Sequence, residues 1–141
     1  MNEDATRWWW VRHAPVTGQE GRYVGHRDVA ADVSDSGSLQ RLAARLPPNA
    51  VWISSHLVRT RDTLAALAGF MDPAREPLVE PAFAEQHFGD WQGRSYDEVY
   101  AETGQQIWHD PASLTPPGGE SLKALAARVA DGAMVAVPPD Y

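Results

Sequence analysis

Apolar positions in this chain fall into short blocks of two periods, and each change of period marks an element. Residues 8–11, Trp-Trp-Trp-Val, are apolar at successive positions, the pattern of a strand covered on both faces. Residues 14–35 follow neither period and are rich in glycine, aspartate and polar groups, which predicts a long loop, a feature often functional in a compact domain. Leu39, Leu42, Ala43 and Leu46 keep the i, i+3, i+4, i+7 spacing of a helix over about residues 38–46, stopped by Pro47 and Pro48. Residues 50–55 ("AVWISS") form a second apolar block of strand length. Thr60, Leu64, Leu67, Ala68 and Met71 then mark one face of a helix, with Ser54 or Ser55 as its N-cap.

Further along, "EPLVEP" predicts a short third strand and "YDEVYAET" a helix ended by Gly104. "TPPGGES" is a turn that leads into a last helix with Leu122, Leu125, Ala126 and Val129 on its apolar face, and "MVAV" a brief strand after it. Strands alternating with helices at this spacing indicate an α/β domain with a largely parallel sheet. Ligands of such sheets bind beyond the C-terminal ends of the strands. Arg12 and His13 follow the first predicted strand, and Ser54, Ser55 and His56 close the second, so the two strand ends are expected to face one crevice.

Composition narrows the function classes. The 141 residues suit one domain, and 43% hydrophobic against 22% charged residues is the balance of a globular chain. A formal net charge of −7 argues against a broad nucleic-acid interface, although a local arginine cluster can still dominate one small pocket. With no cysteine, disulfides, thiol catalysis and cysteine-bound zinc are excluded. No apolar run approaches the roughly 18 residues of a membrane span, and the start, "MNEDATR", is too acidic for a secretory signal, so a cytoplasmic protein without a membrane partner is expected.

Four blocks carry candidate chemistry. Arg12 and His13 are either delivered to a site or are ordinary polar residues at a strand edge. In "SSHLVRTRDT", Arg59 falls in the first turn of a helix, where free N–H groups and an arginine fork suit an anion, whereas Arg61 fits a solvated stripe. In "FAEQHFGDWQG", Glu85 stands among Phe83, Phe88 and Trp91; apolar neighbours would raise its pKa and suit a general acid, unless those rings pack elsewhere. "PPGGES" is fully explained as turn and cap. His26, His56, His87 and His109 show no metal-ligand spacing, and no metal is assigned.

In this order the blocks resemble the histidine phosphatase superfamily, the phosphoglycerate mutase-like proteins. "VRHAPV" is similar to the family's Arg-His-Gly signature, with Ala14 in the glycine place. "SSHLVRTRDT" resembles its Ser-Ser-x-Leu-x-Arg-Thr-x-x-Thr block, "EQHFGDWQG" its Glu-x-x-Phe-Gly-x-Trp-x-Gly block and "PPGGES" its Pro-Gly-Gly-Glu-Ser block. The Phe-Gly-Asp-Trp-Gln-Gly version and "GRYVGHRDV" look most like the α-ribazole phosphatases of cobalamin biosynthesis.

The resemblance implies a three-layer α/β/α fold with a mostly parallel sheet, residues 1–141 making a single domain shortened at its C-terminus. It implies a phosphomonoesterase without metal or cofactor, acting on a small phosphorylated substrate such as α-ribazole 5'-phosphate. His13 would be the nucleophile, Arg12 and Arg59 the clamp on the phosphoryl oxygens, Glu85 the acid and then the base, with Arg22 and Thr17 contacting the substrate. The family's second active-site histidine, in a Val-x-Val-x-His-Gly-Gly-like segment after the last helix, has no counterpart here; if "MVAV" is that strand, Pro138 stands in its place. The alternatives are therefore a relative that binds phosphate-type anions without turnover, a mutase-type phosphotransferase, and a homodimer paired through an open sheet edge.

Overall fold

The computed structural model describes residues 5–139 and 141, so residues 1–4 of the acidic start lie outside it. Six regular elements follow in chain order: α1 (Ser36–Ala43), β1 (Ile53–Ser54), α2 (Val58–Ala68), β2 (Leu78–Val79), α3 (Tyr96–Thr103) and α4 (Leu122–Val135). The two strands pair in parallel, Ile53 opposite Leu78 and Ser54 opposite Val79, with α2 as the crossover that parallel pairing requires. This is the expected α/β arrangement, with a sheet of two strands among the described residues.

The helix ends are set locally. The Asp35 side chain caps α1 by accepting from Ser38 N at 3.1 Å. Ser95 and Glu98 form a reciprocal capping box at the start of α3, and Gly104, at φ 69°, ends that helix in the left-handed conformation. Ser121 caps α4 through Ala124 N. The loop over residues 14–35 crosses the molecule with only isolated pairings, Val16 with Ala31 and Arg22 with Ser95.

Three expectations are corrected. Residues 8–11 do not form a strand: a cavity of about 760 Å³ lies between them and residues 50–55, and none of the described residues pairs with them. Their packing is aromatic instead. Trp8 and Trp10 stack at 5.4 Å, and both present edges to Phe83 at 5.9 and 5.5 Å, while Trp9 stays 56% exposed. "MVAV" is not a strand either, because the alanine-rich helix α4 meets no proline before Pro138 and runs past Gly132 through Met134 and Val135. Finally, neither Ser54 nor Ser55 is the N-cap of α2. Leu57 holds that position, and the first helical N–H, of Val58, is taken by Asp28 Oδ1 of the long loop at 2.6 Å.

Two small cores carry the packing. Leu39 and Ala43 of α1 meet Leu67 of α2, with Trp52 and Met71 against them. Tyr23, Trp91 and Val99 form the second, flanked by Phe88, Tyr96 and Ile107. Next to it, the backbones of residues 87–89 and 117–119 run against each other: Asp90 N donates to Pro117 O and Glu120 N to His87 O, both at 2.8 Å. A Cβ on Gly89 would collide with the Pro117 carbonyl, and its φ of +54° also favours glycine.

Gly21 also has a positive φ, +71°, but open space around it. The left-handed conformation alone costs a side chain about 1–2 kcal/mol. Gly89→Ala is therefore expected to lower the urea midpoint clearly more than Gly21→Ala, since backbone cannot move aside as a side chain can. Equal losses would show that the approach at Gly89 relaxes freely.

Candidate active site

The inward stripe of α2 is Arg59, Thr63 and Leu67, not the face centred on Thr60 and Leu64. Only Leu67 belongs to both. The stripe is displaced because its N-terminal half binds backbone rather than apolar side chains. Arg59 is buried, 2% exposed, and its guanidinium donates to Gly25 O at 2.6 Å and to Arg27 O at 3.0 Å. Burial pulls the pKa of Arg59 down, while the charges of Glu85 and Asp28 push it back up; it starts so high that it stays protonated.

His13 reaches the same helix through its neighbour. Ala14 N donates to Thr63 Oγ1 at 2.8 Å, and that hydroxyl donates to Arg59 O at 2.8 Å. The ring of His13, half-buried, contacts its own chain: Nδ1 lies 2.6 Å from Ala14 O. A carbonyl only accepts, so Nδ1 carries the hydrogen, and in the neutral ring Nε2 keeps a free lone pair. His13 also lines the cavity below residues 8–11, together with Ser54, Ser55 and Thr60, whereas Arg59 and Glu85 do not line it.

Glu85 is placed differently from the expectation. Phe83, Phe88 and Trp91 turn away, Phe83 to the tryptophans and the other two to Tyr23, so the carboxyl is exposed instead of enclosed by apolar rings. Its Oε1 accepts from Gln86 N at 2.7 Å. The remaining candidates stand apart. Arg12 and Thr17 are exposed and, among the described residues, make no polar contact. Arg22 donates to Gly93 O at 3.0 Å, which ties it to the segment before α3.

His26, which no motif assigns to the site, lies within it. Its backbone N donates to Gln92 Oε1 at 2.6 Å, the carbonyls on either side of it hold Arg59, and its Nε2 donates to Glu85 O at 2.6 Å. It therefore connects Arg59 to Glu85. Its ring also lies 4.5 Å from that of His87 and 6.2 Å from that of His56. The only sequence signal was a histidine inside the "GRYVGHRDV" block, and no spacing rule selects it.

Comparisons with known proteins give the family and the fold. The model of the histidine phosphatase superfamily (branch 1) matches residues 8–137. The chain is 33% identical over 127 residues to a 2,3-bisphosphoglycerate-dependent phosphoglycerate mutase 2 of Gloeobacter violaceus, covering 84% of this chain and 57% of that one. It is 35% identical to a glucosyl-3-phosphoglycerate phosphatase of Mycolicibacterium vanbaalenii, covering 84% and 54%. A solved mycobacterial glucosyl-3-phosphoglycerate phosphatase in complex with VO3 superposes with a TM-score of 0.73 at 27% identity, over 90% of this chain and 66% of that one. The chain thus spans little more than half the length of these curated relatives, and it shares the phosphoglycerate mutase-like fold.

The surroundings of His26 imply a pH dependence. Burial is the largest influence and lowers its pKa; the charges of His87 and Arg128 act the same way, against the Glu85 carbonyl and Glu120. A lowered folded value means that the unfolded chain takes up the proton first. Stability linked to His26 is then complete above about pH 6.5, the unfolded value, and is lost as pH falls through the folded value. Denaturant titrations between pH 8 and 5 are expected to show a steeper loss in wild type than in His26→Gln. Parallel curves would remove His26 as the source.

Proposed function

The chain belongs to the histidine phosphatase superfamily, and on that premise we propose that it hydrolyses phosphomonoesters of small metabolites through a phosphohistidine on His13. The observation that carries the reading is the hydrogen bond from His13 Nδ1 to Ala14 O, which leaves Nε2 as the nucleophile, on a segment pinned through Thr63 to the helix of Arg59.

In the proposed reaction His13 Nε2 attacks phosphorus while the ester P–O bond breaks. The proton of the Glu85 carboxyl passes to the leaving oxygen, so the alcohol departs neutral. Water then attacks the phosphohistidine; Glu85 takes one of its protons, the P–N bond breaks, and phosphate leaves with His13 restored. Charge spreads over the phosphoryl oxygens in both steps, and Arg12 and Arg59 neutralise it without metal or cofactor. Exposure of the Glu85 carboxyl is compatible with this role, because the ester group itself would cover it. Arg22 and Thr17, on the long loop, are assigned to the rest of the substrate. Among substrates, α-ribazole 5'-phosphate is the specific expectation, to be compared with glucosyl-3-phosphoglycerate.

The test is hydrolysis of p-nitrophenyl phosphate in the presence of a chelator, followed by both named substrates. His13→Ala is expected to reduce the rate at least about 10³-fold. Brief incubation with labelled substrate is expected to leave a phosphoenzyme stable in alkali and lost in acid, as for a phosphoramidate. Equal rates for wild type and His13→Ala overturn the reading. Vanadate binding without turnover would reduce it to anion binding.

A further inference from the structure

Glu85 itself lies outside any helix or strand, yet its main chain is held from two sides. On one side stands Arg128 of α4. Its NH1 donates to Ala82 O at 2.7 Å and Ala84 O at 2.9 Å, and its NH2 donates to Glu85 O at 3.2 Å. The same guanidinium pairs with Glu120, NH2 to Oε1 at 2.5 Å and Nε to Oε2 at 3.3 Å. Glu120 extends the hold: its Oε1 accepts from His87 N, and its carbonyl accepts from Gln86 Nε2, both at 2.9 Å. Gly132, one turn beyond Arg128, lets α4 approach Ala82, since a Cβ there would meet the Ala82 methyl at 2.6 Å.

On the other side stands His26, whose Nε2 donates to the Glu85 carbonyl at 2.6 Å. His26 is itself fixed by Gln92 and by the two carbonyls bound to Arg59. The bonds that reach residues 82–87 end on their main chain or on the Gln86 side chain, and the Glu85 carboxyl remains exposed apart from its contact with the Gln86 N–H. Such a frame fixes the origin of a side chain while leaving its end available.

We propose that Arg128 and His26 are positioning residues for the Glu85 carboxyl, holding its main chain so that the acid meets the leaving oxygen beside Arg59. This rests on the reading of Glu85 as proton donor. Catalytic geometry has to be held to about 0.5 Å, and a shift of about 1 Å can cost 10²-fold, so an acid on an irregular segment depends on such support. Lysine at 128 keeps the charge but cannot span three carbonyls and a carboxylate.

The experiment compares two esters. Phenyl phosphate needs a proton on its leaving oxygen; 2,4-dinitrophenyl phosphate does not. Arg128→Lys and His26→Gln are each expected to lower kcat for phenyl phosphate about tenfold or more, and to change kcat for 2,4-dinitrophenyl phosphate by less than about twofold. In the Glu85→Gln background, where no acid is left to position, Arg128→Lys is expected to cause no further loss on phenyl phosphate. Equal losses on both esters, or an undiminished loss in the Glu85→Gln background, overturn the proposal. If wild type turns over neither ester, the proton-donor reading fails by itself. Positioning is then decided by the 13C carboxyl signal of Glu85, identified by its absence in Glu85→Gln: one sharp line in wild type that broadens or splits in Arg128→Lys supports it, and an unchanged line overturns it.

Discussion

The buried guanidinium of Arg59 is the constraint on which the site depends. At 2% exposure it has to be paired, because an uncompensated buried charge costs several kcal/mol. Its partners are two main-chain carbonyls, of Gly25 and Arg27, from a loop without helix or strand of its own. Hydrogen bonds to a charged group contribute about 1.5–3 kcal/mol each, more than neutral ones, so the cation gives the long loop an attachment that its sequence lacks. The start of α2 gives a second: Asp28, one residue past Arg27, accepts from Val58 N at the helix N-terminus, where a carboxylate is favoured by the dipole. One consequence is positional. His26, caught between the two carbonyls, is delivered to Glu85.

A matching arrangement lies on the opposite side of Glu85. There the cation is Arg128, and its carboxylate partner Glu120 comes from the Pro-Gly-Gly-Glu-Ser turn. Burial raises the pKa of Glu120, but hydrogen bonds from Arg128 and from the His87 N–H, with the charges of Arg128 and His26, outweigh it and hold the group below its ordinary value. Glu120 therefore stays ionised at neutral pH and keeps Arg128 engaged. Glycines have a packing purpose here as well. Gly119 of this turn and Gly89 opposite it let two backbones touch, which brings the carboxylate of Glu120 to the segment it supports.

How much of this was legible differs by element. The helices α1, α3 and α4 carried their own signals: apolar periodicity for α1 and α4, and Gly104 as the stop of α3. The short strands β1 and β2 were visible as apolar blocks, though only two residues of each pair. Residues 8–11 and 134–137 misled for a physical reason. An apolar run specifies burial, and only a partner strand turns it into a strand; without one, Trp8 and Trp10 pack on Phe83, and Met134 and Val135 continue α4. Family-like blocks picked out Arg59 and Glu85, but not the exposure of the Glu85 carboxyl, which follows from its aromatic neighbours joining other clusters. His26 and Arg128 act through hydrogen bonds to carbonyls, and a carbonyl leaves no mark in a sequence.

These contacts divide the site into a firmly held half and a lightly held half. Glu85 and Arg59 are framed by charge-assisted bonds to several carbonyls. His13 depends on the Ala14–Thr63 bond and on the aromatic group formed by Trp8, Trp10 and Phe83. Aromatic pairs add about 0.5–1.5 kcal/mol beyond burial, less than one hydrogen bond to an ion, and Trp10 stays 64% exposed. Phe83 nevertheless couples the halves, because it sits in the turn over residues 81–83, whose Ala82 carbonyl is bound by Arg128. The tryptophans that precede His13 thus rest on the same turn that leads to Glu85. Any displacement of that turn moves both His13 and Glu85, whereas a displacement of residues 8–11 moves only His13. The side of His13 that faces the cavity is therefore the place where the geometry of the proposed reaction is least constrained.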